Sequence, residues 1–217
     1  DQSKARFLRE ARTNSLLTSP HTVTVFDFGE SEDGELYLAM ELLDGESLGQ
    51  RLARVRRLPY AEAVEYARQA LRSLAEAHAK GIIHRDLKPE NVMRLTLAGR
   101  EDHVKVLDFG LAVSTAQEDA ASRITREGTF QGTPVYMSPE QFTGKPLDAR
   151  SDLYSLAIMA YEMVSGELPF HADSPYEWAT QHLTVPPRPL SQTARGPAIP
   201  LTLQTAIERG MSKAPEQ

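Results

Sequence analysis

The stretch IIHRDLKPENV, residues 82–92, sets a His, an Arg, an Asp, a Lys and an Asn between short apolar flanks. Taken alone, such a set is compatible with a chance polar loop, and its surroundings have to decide. On its N-terminal side, Val64, Ala67, Leu71, Leu74 and His78 recur at spacings of three and four, which predicts a long amphipathic helix over 60–79 that ends near Gly81. On its C-terminal side come two short β-rich runs, 91–97 and 103–107, the second leading into Asp108-Phe109-Gly110.

Further out, KARFLREARTNSLLT (4–18) carries Phe7, Leu8, Ala11 and Leu16 on one helical face. Residues 21–30 and 34–43 read as two strands joined by a hairpin turn at SEDG (31–34), and DGES (44–47) breaks the pattern. Residues 114–131 are polar and Ser/Thr-dotted, the composition of a long loop. SDLYSLAIMAYEMVSG (151–166) is the most apolar helix and belongs at the centre, with Gly166 just past its end. Helices at 174–183 and 201–212 flank a Pro-rich connection over 185–200.

With 217 residues, 41% hydrophobic and 25% charged, the chain has enough apolar material for a real core. A net charge of −6 argues against a dedicated nucleic-acid binder, which would present a basic face. The basic run Arg51, Arg54, Arg56 and Arg57 is a local exception, read as a solvated helix end with an acidic partner as the alternative. Without cysteine, disulfides and thiolate metal sites are excluded, which is compatible with a reducing cytosol. No apolar run approaches the roughly 18 residues of a membrane span, and DQSKARFLREAR lacks the apolar core of a signal peptide.

Four stretches then stand in a fixed order: HRDLKPEN, VKVLDFG with its Asp108 22 residues beyond Asp86, GTPVYMSPE (132–140) and DARSDLYSLA (148–157). Together they resemble the eukaryotic-like serine/threonine protein kinases, and within them the bacterial Hanks-type branch. The resemblance runs over essentially the whole chain. It implies an α+β, bilobal, protein-kinase-like fold, with residues 1–43 as a remnant of the N-terminal lobe and 44–217 as a mostly helical C-terminal lobe lacking its final helix.

The resemblance also assigns roles. Asp86 would accept the proton of a Ser or Thr hydroxyl, and Lys88 would neutralise charge developing on the transferred phosphoryl group. Asn91 and Asp108 would supply oxygen ligands to Mg²⁺ beside ATP. Lys88 and Thr133 both resemble the markers of Ser/Thr rather than Tyr specificity. His84 would pack on Phe109, Asp152 would hold the catalytic-loop backbone, and Glu140 normally pairs with an Arg that would follow KAPEQ. Without that Arg, a buried carboxylate costs on the order of 3–5 kcal/mol. Arg85 marks kinases switched on by activation-loop phosphorylation, for which Thr125 and Thr129 are the acceptors expected here. Met40 takes the gatekeeper place, Glu41 and Leu43 offer main-chain groups to adenine, and Met93 lies beneath it. Plain core filling is the competing reading of both methionines. Glu10 resembles the helix Glu that pairs with the ATP-binding lysine.

That lysine and the glycine-rich loop before it have no counterpart in these 217 residues. Truncation and natural degeneracy into a non-catalytic interaction module are the two explanations. The intact catalytic-loop and Asp-Phe-Gly residues favour truncation. A small-molecule phosphotransferase is disfavoured by GTPVYMSPE, which resembles a protein-substrate platform. The expectation is a cytoplasmic kinase, open to a membrane tether elsewhere in the parent, acting on proteins and on itself through self-association. The 217-residue piece alone is expected to fold poorly and show little ATP-dependent activity.

Overall fold

The computed structural model describes residues 2–97, 100–109 and 134–214. The chain opens with helix α1, Gln2–Asn14. Strands β1 (Val25–Glu30) and β2 (Leu36–Met40) follow as an antiparallel pair. Their turn closes through Ser31 N–H to Glu35 O at 2.8 Å, with Gly34 at φ 85°.

The helix is shorter than the apolar pattern suggests. Leu16, expected on its buried face, is 59% exposed, whereas Leu17 enters the core. The reason lies in the long helix α3, Tyr60–Ala79. Its Glu76 carboxylate accepts the Thr18 and Ser19 amides and the Thr18 hydroxyl, and Lys80 donates both to Glu76 and to Leu16 O. The chain therefore turns off α1 onto α3. Residues 21–24, expected in the first strand, instead clamp strand β5 (Arg100–Val106): Val23 N–H bonds Val106 O and Val106 N–H bonds His21 O.

Burial works to raise the Glu76 pKa, but the Lys80 ammonium and the Thr18 and Ser19 donors outweigh it and hold the carboxyl at about 2. A pKa held below the ordinary 4.5 means stability present in full above about pH 4.5 and lost as pH falls toward 2. Glu76→Gln is expected to destabilise by about 1–2 kcal/mol at neutral pH. Urea unfolding of wild type and variant at pH 7 and pH 3 checks this, because the difference should shrink at the lower pH.

Strand β3 (Gly45–Ser47), β4 (Val92–Leu97) and β5 form a second antiparallel sheet in the order β3-β4-β5. Gly45 is required there: a Cβ would stand 2.1 Å from Arg94 O. Helix α2 (Leu48–Val55) follows β3 directly and buries Leu48 and Leu52. It begins with a capping box between Ser47 and Gln50. The basic run is a largely solvated helix end, with Arg54, Arg56 and Arg57 exposed. Arg51 pairs with Glu46 and, at 2.5 Å, with Glu62, and Arg54 pairs with Glu46 at 2.8 Å.

Helix α3 matches its expected limits, but its buried face is Ala63, Tyr66, Ala70, Leu74 and Ala77. Val64 and Leu71, expected inward, line an apolar groove of about 340 Å³ against the later helices. Helix α3 packs on α5 (Ala149–Ser165), whose Ile158, Met159, Tyr161 and Met163 are buried at the centre of the core. The short α4 (Pro139–Thr143), α6 (Pro175–Thr184) and α7 (Leu201–Gly210) complete the helical part. The Pro-rich connection holds two 3-10 turns, Leu190–Gln192 and Gly196–Ala198. The fold is α+β, a small strand-bearing part joined to a larger helical one. Among the described residues, no helix is long and apolar enough to cross a membrane.

Candidate active site

Gly81, at φ 74°, releases the chain from α3 into the loop that carries the opening motif. His84 is fully buried, its ring centroid 4.8 Å from that of Phe109. Burial lowers its pKa and keeps the imidazole neutral. The protonated Nε2 donates to Leu107 O at 2.7 Å, which leaves Nδ1 to accept the Asp86 amide at 3.3 Å. His84 is thus a satisfied core histidine that braces the loop.

Arg85 adopts φ 69°, a conformation that L residues rarely take. Neighbouring bonds enforce it. Asp152, 1% exposed on α5, accepts the His84 amide at 2.8 Å and the Arg85 amide at 2.9 Å. Gln141 of α4 donates to Arg85 O at 2.7 Å. His78, from the last turn of α3, adds a third contact to Asp152 at 2.7 Å. The Arg85 Nε is buried with no hydrogen-bond partner among the described residues.

The next residues converge. Lys88 Nζ lies 2.8 Å from Asp86 Oδ2, both side chains being about one-quarter exposed or less. Asn91, in a 3-10 turn over Pro89–Asn91, donates through Nδ2 to Asp86 O at 2.8 Å and to Asp86 Oδ2 at 3.2 Å. Asn91 Oδ1 is therefore the atom left as an oxygen ligand. The end of β5 is tied to this turn by Leu107 N–H to Asn91 O at 2.9 Å. One residue on, half-buried Asp108 stands at φ 52°. Phe109 is buried, and its carbonyl accepts Asn14 Nδ2 of α1 at 2.5 Å.

The remaining expected positions are more dispersed. Met40, Asp108, Phe109 and Asn14 line one small cavity of about 10 Å³. The Glu41 carboxylate is engaged by Lys105 Nζ at 2.5 Å and by the Thr24 amide at 2.6 Å. Leu43 and Glu10 are half-buried, and Met93 is half-buried in β4, paired across to Ser47 and Lys105. Glu140, feared to be a bare buried carboxylate, is only half-buried and accepts the Ser151 hydroxyl at 2.5 Å. Thr125, Thr129, Thr133 and the loop at 114–131 lie outside the described residues.

Three contributors escaped the sequence reading. His78 was visible as a polar residue on an apolar helix stripe, a position that asks for a buried partner. Gln141 and Asn14 carry no local signal beyond their own type, because each bonds a backbone carbonyl that only the tertiary fold delivers.

Residues 1–198 match the family model of the protein kinase domain, and the chain belongs to that family. It is 44% identical over 215 residues to serine/threonine-protein kinase pkn3 of Myxococcus xanthus, covering 99% of this chain and 39% of that protein. It is 40% identical to serine/threonine-protein kinase pkn2 of the same organism, covering 97% and 25%. Against serine/threonine-protein kinase PknA of Mycobacterium tuberculosis it is 40% identical, covering 97% and 47%. The chain thus spans less than half the length of each of these curated relatives.

Proposed function

We propose that the intact protein is a cytoplasmic serine/threonine kinase that transfers the γ-phosphate of ATP to Ser or Thr of proteins, its own activation loop included. The observation that supports this best is the convergence of Asp86, Lys88 and Asn91, tied to the Asp108 segment through Leu107.

Asp86 accepts the proton of the acceptor hydroxyl as its oxygen bonds to phosphorus and ADP departs. Asn91 and Lys88 hold that carboxylate by its Oδ2, and they fix its aim at little entropic cost. Lys88 sits where it can turn its charge to the phosphoryl oxygens. The donor set fits Mg²⁺, a hard cation that takes few protein ligands and completes its shell with phosphate oxygens and water. Asp108 contributes a carboxylate and Asn91 an amide oxygen. Among the described residues there is no cluster of three or more His, Cys, Asp or Glu that would make a closed metal cage. When bound, Mg²⁺ neutralises charge on the phosphate oxygens. Residues 1–43 and 44–217 act as the two lobes on either side of the nucleotide, with Met40, Glu41, Leu43 and Met93 around the adenine, and Glu10 pairing with a lysine from the nucleotide lid.

The buried Arg85 Nε is a ready partner for a phosphate, which an Arg can bind in a forked geometry. Phosphorylation of Thr125 or Thr129, in a self-associated pair, would supply it, with Thr133 as a marker of Ser/Thr specificity. Mass spectrometry of active intact protein is expected to find phosphate on one of the two threonines, and an unmodified active loop would count against this. The function itself is tested by incubating the intact protein with labelled ATP, Mg²⁺ and a Ser/Thr-containing protein. Phosphoserine or phosphothreonine whose formation EDTA abolishes supports it, whereas phosphotyrosine alone, or no transfer, refutes it.

A further inference from the structure

We infer that Asn14 is a positioning residue for Asp108, linking the end of α1 to the metal-binding segment by a hydrogen bond. This rests on the reading of Asp108 as a Mg²⁺ ligand.

Asn14 is the last residue of α1 and is 5% exposed. Its surroundings are mainly apolar: Leu17, Val23, Val25, Leu38 and Met40 share its cavity wall. A primary amide in such a place is costly unless it is bonded, and an aliphatic side chain would fill the space without that demand. The amide meets the demand with a carbonyl 95 residues away, Phe109 O at 2.5 Å.

The acceptor sits next to a strained residue. Asp108 has φ 52°, and a non-glycine residue keeps such a conformation only where its surroundings over-determine it. Upstream, Leu107 is pinned through its amide by Asn91 and through its carbonyl by His84. Downstream, the Phe109 ring rests on His84 while its carbonyl is held by Asn14. The first three contacts come from the catalytic loop. The Asn14 amide reaches this segment from α1. A shift of α1 therefore pulls directly on the backbone that aims the Asp108 carboxylate.

Partners that orient a metal ligand alter metal affinity by about 10- to 100-fold when removed. The test is Asn14→Leu, close in size and without the donor, in the intact kinase, with Mg²⁺ binding to the ATP-loaded protein followed by calorimetry and activity titrated against free Mg²⁺. The half-saturating Mg²⁺ concentration should rise about tenfold or more, with the KM for the protein substrate unchanged. If Asn14→Leu does not fold, Asn14→Ala assayed below its unfolding temperature gives the same reading. A folded variant with unchanged Mg²⁺ dependence, even at reduced kcat, overturns the inference and leaves Asn14 as a helix-end contact. Asp108→Asn run alongside separates the two readings. If it retains full activity, the metal-ligand assignment fails. If it is inactive while the Asn14 variants titrate like wild type, only the role of Asn14 fails.

Discussion

Replacing Asp86 by Ala in the intact kinase is expected to lower kcat by about 10³-fold, within the range that a positioned general base contributes. The loss combines that of the proton acceptor with that of an organising group, because the Asp86 carboxylate also holds its neighbours. Lys88 Nζ and Asn91 Nδ2 both rest on its Oδ2. Without it, the Lys88 ammonium loses its anchor and the Asn91 amide is held through Asp86 O alone. The KM for ATP should change little, since the residues proposed to hold adenine are Met40, Glu41, Leu43 and Met93. Steady-state kinetics of Asp86→Ala, Lys88→Ala and the double variant check this. The effects should be markedly less than additive, as for residues acting as a unit.

The second large effect is on stability. Asp152→Ala should cost about 3–5 kcal/mol, the range for removing one partner of a buried, hydrogen-bonded charge. Asp152 is 1% exposed and accepts the His84 and Arg85 amides and the His78 ring. Its loss leaves one buried and one partly buried amide without acceptors and releases the backbone that holds Arg85 at φ 69°. Asp152→Asn, which keeps one acceptor oxygen, should cost visibly less. Denaturant midpoints of the intact proteins give the comparison, and equal midpoints for wild type and Asp152→Ala would contradict it.

Much of this was legible in the sequence where pattern and chemistry are local. The α3 limits follow from the run before Gly81, and α5 from its apolar content. The face of α3 did not follow, because Val64 and Leu71 line a groove while Ala63, Ala70 and Ala77 are buried, and hydrophobicity alone does not rank a small residue above a large one. Helix α2 was read only as a helix end at the basic run because eight residues barely establish a period, although its Ser47-to-Gln50 capping box stood in the sequence. Strand β3 is three residues of Gly, Glu and Ser, whose pairing comes wholly from β4. In the site, the loop from His84 to Asn91 was readable because its chemistry is contiguous. Its supports were not, because Asn14 and Gln141 reach their carbonyls from 95 and 56 residues away.

The most direct measurement is transfer of labelled γ-phosphate by the intact protein and its Asp108→Asn variant at saturating Mg²⁺. Wild type should label Ser or Thr in a protein acceptor, and the variant should fall to background with its fold unchanged by circular dichroism. Equal labelling by the two proteins would contradict the assignment of this site as the kinase centre.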